Sequence, residues 1–501
     1  MLNQNQTPLI DALKACAKRP HAAFYTPGHK RGQGIAQPLA DLLGKAVFGA
    51  DLTELGNLDN LFAPQGVILQ AQQLAAEAFG AKQTWFLVNG STCGIEAAIL
   101  ATCGTGDKII LPRNVHSSAI AGLILSGAIP IFLHPEYDAV LDIAHSITPT
   151  AVKSALQQHP DAKAVLAVYP TYYGVCGDLE AIAQITHQYN IPLLVDEAHG
   201  AHFAFHPQLP TPALAAGADL TVQSIHKTLG AMTQASMLHV QGNRIDIDRV
   251  TKALQLVQST SPSYVLLASL DAARQQVALH GKQLMSRTLQ LADAARTSIS
   301  QIPGLSVLNI PPAKSPGFVA LDKTRLTVTV SGLGLTGFEA EEILDEKLGV
   351  TPEFSSLQHL TFIISLGNTQ ADIEQLVQGF TTLAEITPPL PEKKKLILWD
   401  DTFRLGNSIQ ISPREAFFTP TETLPLEETS DRICAEIVCP YPPGIPVLMP
   451  GELITKSAIE YLRYIQARGG LITGCQDLSL ASLKVLREEG RGQKAGGRRN
   501  F

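Results

Sequence analysis

Two apolar runs that each lead into a reactive side chain do most to constrain the fold. IPLLVD (191–196) ends on Asp196, and ADLTVQS (218–224) leads through Ile225 and His226 to Lys227. Apolar runs of this length between turn residues are the pattern of strands buried on both faces, as in a parallel sheet covered by helices. Open α/β sheets hold their ligands at the C-terminal ends of such strands. A carboxylate and an amine, 31 residues apart in the chain, are therefore delivered to one sheet edge. Pyridoxal 5'-phosphate requires those two groups of a protein: an amine to form a Schiff base with the aldehyde, and a carboxylate to keep the pyridine nitrogen protonated. The pair points to that cofactor.

Apolar runs bounded by turn residues recur near 84–88, 108–112, 129–133, 163–168, 192–196, 219–224 and 236–240, giving seven candidate strands. Asp178 caps the helical pattern LEAIAQITHQY (179–189) between two of them, which makes a βαβ unit. The expected fold class is α/β, a mostly parallel seven-stranded cofactor-binding sheet flanked by helices. Ahead of it, Thr7-Pro8 with Leu9, Ile10 and Leu13 predicts a short N-terminal helix, and Gly127 predicts a helix stop.

Beyond a helical stretch over 265–300, LTVTVSG (326–332), a helix over 337–348, LTFIISLG (360–367) and a helix over 369–385 alternate as a small α+β domain. TPPLPEKKK (387–395) reads as a linker, and the glycine-rich, basic RGQKAGGRRNF (491–501) as part of a disordered tail. The expected division is an N-terminal arm (1–50), a large cofactor-binding domain (51–300), the small domain (301–388), a further C-terminal domain (396–486) and the tail (487–501).

Composition excludes several classes. With 45% hydrophobic and 17% charged residues the chain is globular over most of its length, and a net charge of −7 lacks the basic excess of a nucleic-acid binder. Cysteine number is odd, at seven, and Asp11 and polar residues stand where a secretory apolar core would be; reduced thiols and a cytoplasmic location are expected. The strongly apolar uncharged stretch 117–133 contains Ser126, Gly127 and Pro130 and falls short of the roughly 20 apolar residues of a membrane span. No membrane or nucleic-acid partner follows from this chain.

Around the sheet edge, NGSTCG (89–94) joins a strand to a helix start. Its backbone N–H groups and the hydroxyls of Ser91 and Thr92, with Cys93 beside them, suit a phosphate dianion, although the loop also reads as an ordinary N-cap. His116 follows the strand at 108–112. His199, His202 and His206 have a spacing that suggests metal, but the segment has no further ligand type beyond residues 196 and 197. No metal is expected; His199 is placed near the cofactor and the other two are structural. Cys93 has no evident base partner and reads as a small buried residue.

VQSIHKTLGAMTQAS (222–236), around Lys227, resembles the lysine signature of the class-I ornithine/lysine/arginine decarboxylase family, whose fold is of the aspartate-aminotransferase type. The resemblance extends in order through TPGHKRG (26–32), DLTELGNLDNLFAP (51–64), FGA (79–81), NGST (89–92), DEAHGAH (196–202) and PYPPGIPVLMPGE (440–452). It implies decarboxylation of a cationic amino acid, arginine or lysine favoured over ornithine, to the amine and CO2. It also implies that Ser224 and His226 complete the phosphate site, that His116 stacks on the pyridine ring, and that Ala198 touches the opposite ring face. The catalytic set is then Lys227, Asp196 and His116.

Glu353, Asp51, Glu54 and Asp59 are candidates for the substrate's distal cation; the Asp59-Asn60 pair departs from the two consecutive Asp residues the family often has. An aminotransferase, with Arg325 as carboxylate clamp, is the alternative. A non-catalytic regulator is the second, and retention of Lys227 and Asp196 counts against it. The fold implied by the resemblance places each active site between two subunits, so a homodimer or larger homo-oligomer is expected, with His29 and Asp51 near substrate.

Overall fold

The computed structural model describes residues 2–313, 315–387, 409–441 and 444–487. A seven-stranded sheet consists of β1 (Gln83–Leu87), β2 (Lys108–Pro112), β3 (Ile129–Leu133), β4 (Ala164–Val168), β5 (Leu193–Asp196), β6 (Leu220–Gln223) and β7 (Ser236–Val240), in the order β1-β7-β6-β5-β4-β2-β3. Pairs β2–β3, β2–β4 and β5–β6 are parallel, whereas β7 runs antiparallel to both β1 and β6. Each strand falls on one of the apolar runs read from the sequence. The fold is thus the expected mostly parallel α/β sheet.

By internal packing the chain divides into two compact units. The first comprises Met1–Thr102, Leu179–Leu289 and Ser365–Gly367, and holds β1, β5, β6 and β7. Helix Leu179–Gln188 buries Leu179, Ile182, Ala183 and Thr186, the one-face spacing of an amphipathic helix. Helix Gly90–Thr102 lies so close to the sheet that a Cβ on Gly94 would come within 2.6 Å of Val222. Only glycine permits that approach. The N-terminal helix, Pro8–Lys18, is tied down by the buried Asp271–Arg274 pair: Asp271 accepts from the Leu9 amide (3.0 Å), and Arg274 donates to the carbonyls of Gln4 and Gln6.

The second unit comprises Cys103–Asp178, Gln290–Ile364 and Asn368–Phe501. Besides β2, β3 and β4 it contains an antiparallel sheet of β8 (Ser306–Val307), β9 (Arg325–Thr329), β10 (Phe354–Ser355) and β11 (His359–Ile363), in the order β8-β9-β11-β10. Helices Gly337–Leu348 and Gln370–Ile386 each open with a capping box, Thr336 with Glu339 and Thr369 with Asp372. They pack with this sheet around Leu326, Val328, Leu360 and Phe380. Helix Lys456–Ala467 and the paired strands Thr421–Pro425 and Ser482–Leu486 share a separate core of Leu426, Val438, Leu462 and Val485.

Helix Ser117–Ser126 stops at Gly127, whose φ of 76° is the left-handed C-cap conformation. No helix among the described residues is long and apolar enough to cross a membrane. The linker from 388 and the tail from 488 lie outside the described residues.

Candidate active site

In the first unit, strands β5 and β6 run side by side, with Asp196 registered on Val222. Asp196 is the last residue of β5, where the ladder ends. Burial pushes its carboxyl above the usual carboxylate range, while the Lys227 charge and the Ala198 amide, donating to Oδ1 at 3.2 Å, oppose that shift. Strand β6 passes through Ser224 into the single-turn helix Ile225–Thr228, which carries Lys227. The Lys227 amine donates to His199 Nε2 at 3.1 Å. Amine, carboxylate and imidazole therefore share one region of the unit.

Ser224 is fully buried, and its hydroxyl donates to Ser91 Oγ at 2.8 Å. That bond joins the end of β6 to the first turn of helix Gly90–Thr102, whose opening N–H groups make a site favourable to anions. Thr92 is exposed on the same turn. Cys93 is buried, its thiol donating to the Gly90 carbonyl and pushed up to about 12, so it is no nucleophile at neutral pH. His226 Nδ1 donates to the Ala235 carbonyl at 2.9 Å, which fixes its ring beside the lysine. Ala198 is buried immediately after the turn begins.

The three spaced histidines turn to different partners: His199 to Lys227, His206 to Ser286 (3.0 Å), and His202 against the Phe203 ring (4.8 Å between centroids). His116, in the second unit, caps helix Ser117–Ser126, with Nδ1 accepting from the Ser118 amide (3.2 Å). A Cβ on Gly444, whose φ is +81°, would lie 3.5 Å from its Nε2, so the backbone at this glycine approaches the imidazole closely. His116 opens on a cavity of about 580 Å³ that Glu436, Cys439, Tyr441 and Lys484 also line.

Some candidate carboxylates are occupied elsewhere. Asp59 accepts from the amides of Asn60, Gln65, Gly66 and Ile68, which closes the loop ahead of helix Val67–Phe79. Glu54 accepts from Asn60 Nδ2 (2.8 Å), and Asp51 pairs with His29 (3.1 Å). Arg325 is buried at the start of β9, with Nη1 donating to the Tyr172 carbonyl (3.3 Å); burial pushes its guanidinium down to about 10, against the opposing charge of Glu353.

Sequence reading passed over Glu197, His239, Gln223 and Thr84, which form a buried hydrogen-bonded row within the same unit. The available signal was a second acidic residue directly after a buried strand, where an unpaired charge is costly.

Residues 7–372 match the family model for the Orn/Lys/Arg decarboxylase major domain, and residues 398–476 match the one for its C-terminal domain. This chain belongs to the Orn/Lys/Arg decarboxylase family. It is 41% identical to the arginine decarboxylase of Bacillus subtilis over 490 residues, 97% of this chain and 99% of the relative. To the arginine decarboxylase of Bacillus anthracis it is 40% identical over 492 residues, 97% of this chain and 98% of that one. Two solved structures share the fold: the lysine decarboxylase of Francisella novicida (TM-score 0.80, 22% identity, 96% of this chain and 81% of that one), and lysine decarboxylase A of Pseudomonas aeruginosa (TM-score 0.82, 23% identity, with the same coverage of both chains). As a family member the chain is an amino-acid decarboxylase acting on a basic amino acid.

Proposed function

We propose that this chain is an arginine decarboxylase that works with pyridoxal 5'-phosphate held on Lys227. The observation that carries the reading is the placement of the Lys227 amine within the field of the Asp196 carboxylate and in hydrogen-bond contact with His199. The groups present fit the cofactor: an amine, a desolvated carboxylate at a strand end, and a hydroxyl pair at a helix start. When bound, the cofactor supplies an electrophilic aldehyde carbon and an electron-accepting ring.

The chain's own groups do the rest. Lys227 would hold the cofactor through its amine and would carry a proton at Nζ when that amine is free. Asp196 would be the counter-ion that stabilises a positive charge on the ring nitrogen. Ser91, Thr92, Ser224, His226 and the amide of Cys93 would hold the phosphate. Ala198 would lie against one face of the ring, and His116 would be the aromatic partner of the other and the second candidate for returning a proton to Cα.

Arginine is favoured because the relatives of about 40% identity that match nearly the whole chain are named arginine decarboxylases, while one named a lysine decarboxylase matches at 26%. All seven cysteines are buried and none is in a disulfide, which supports a reducing, cytoplasmic setting. Phe24, Leu42 and Leu43, exposed at 93%, 78% and 50%, support burial of the N-terminal segment against a second copy. Release of CO2 from arginine, lysine and ornithine by the cofactor-loaded protein tests the proposal. Arginine should be consumed fastest; preference for lysine or ornithine would overturn the substrate assignment, and release from none would overturn the activity.

A further inference from the structure

A row of buried polar side chains crosses the sheet of the first unit directly behind the reactive pair. Thr84 on β1 registers opposite His239 on β7, and His239 opposite Thr221 on β6. Strand alternation puts Thr221 and Gln223 on one face of β6, with Val222 and the following Ser224 on the other. Thr84, His239, Thr221, Gln223 and Glu197 are all at most 2% exposed. Polar side chains buried this deeply require hydrogen-bond partners, and these find them in one another.

The bond directions follow from Glu197. Its Oε1 accepts from the Ala213 amide (2.7 Å), and its Oε2 from the Thr221 hydroxyl (3.0 Å) and Gln223 Nε2 (2.8 Å). Since the Gln223 amide nitrogen faces the carboxylate, its oxygen faces His239 Nε2 (3.1 Å), and that nitrogen must carry the ring proton. His239 Nδ1 is then an acceptor, filled by the Thr84 hydroxyl at 2.7 Å. Turning the amide over would set an oxygen against the carboxylate. Every donor in the row therefore points toward Glu197, an arrangement in which each bond strengthens the next.

Glu197 sits where the backbone ladder gives out. Its amide donates to the Val222 carbonyl (3.0 Å), after which the chain turns away through His199 and Gly200. Gly200 closes over the side chain so tightly that a Cβ there would lie 2.7 Å from Glu197 Cγ. One carboxylate thus ties the turn bearing Asp196, Ala198 and His199 to the strand that feeds Ser224 and Lys227.

We infer that Glu197, supported by the Gln223–His239–Thr84 row, is a positioning residue that sets Asp196 and His199 relative to Lys227. The inference rests on the proposed roles of Lys227 and Asp196. It does not make Glu197 a group that touches substrate.

In the full-length, cofactor-loaded protein, Glu197→Gln leaves an NH2 group facing a donor. We expect kcat per cofactor-bearing site to fall about 10- to 100-fold with KM within about 3-fold, and the cofactor to dissociate faster. The exchange Glu197→Gln with Gln223→Glu restores a donor opposite each acceptor and should recover most of the loss. A role in stability alone would lower the thermal midpoint and leave kcat per site and its rescue unaffected. Native kcat per site in Glu197→Gln overturns the inference. If that variant does not fold, the exchange decides: near-native kcat per site supports the inference, and a folded exchange variant impaired more than 10-fold overturns it. Lys227→Ala separates the two readings, because retention of the visible cofactor band in that variant would remove the Lys227 assignment whatever Glu197 does.

Discussion

The Lys227 amine donates to His199 Nε2 across 3.1 Å, although the two residues are 28 positions apart. A lysine hydrogen-bonded to an imidazole acceptor has its amine oriented before any ligand arrives. Replacing Lys227 by Ala should abolish the visible absorption of the cofactor-loaded protein and reduce turnover by at least ~10³-fold. Absorption spectra of the purified variant check the first expectation and CO2 release the second.

Asp196→Ala should leave cofactor on Lys227, so the visible band persists, but reduce kcat by about 100-fold or more, because an uncharged ring nitrogen is a poor electron sink. KM should change little. An unchanged kcat would show that another acid faces the ring.

His239 is buried and held well below the ordinary histidine range, at about 3, by desolvation. A depressed histidine contributes stability that is full above its unfolded value near 6.5 and is lost as pH falls toward the folded value. His239→Gln removes that dependence. The stability deficit of the variant relative to the native protein should therefore shrink by about 2 kcal/mol between pH 7.5 and pH 5, the product of ~1.4 kcal/mol per unit and the span from 6.5 to 5. Urea denaturation of both proteins at the two pH values measures it.

Asp59 accepts from the Gly66 amide at 2.7 Å and the Gln65 amide at 3.0 Å. These bonds close the loop ahead of helix Val67–Phe79. Asp59→Ala should cost about 1–2 kcal/mol of stability, as for loss of a helix cap. The KM of the folded fraction should stay within about 2-fold; a KM raised 10-fold with native stability would return Asp59 to the substrate site.

Local pattern decided a large part of this molecule. Each of the seven strands is an apolar run closed by turn residues, and strand formation in a covered sheet depends mainly on that local burial pattern. The positions of Asp196 at a strand end and of Lys227 in the turn after the neighbouring strand were legible for the same reason, since the apolar runs mark where those strands stop. Gly127 ended its helix because its left-handed conformation is inexpensive only for glycine.

What the sequence could not determine is which side chains meet. Glu197, Gln223, His239 and Thr84 lie on four separate segments and become one row only because β7 is inserted between β1 and β6, placing Thr84 opposite a residue 155 positions away. The same limit applies to Asp59, whose carboxylate resembles any other in DLTELGNLD until the loop folds over it. Alternation and burial are properties of a segment, whereas strand neighbours and hydrogen-bond partners arise from how segments pack. The residues proposed as reactive were therefore chosen from the sequence, and the buried row beside them was set by tertiary structure.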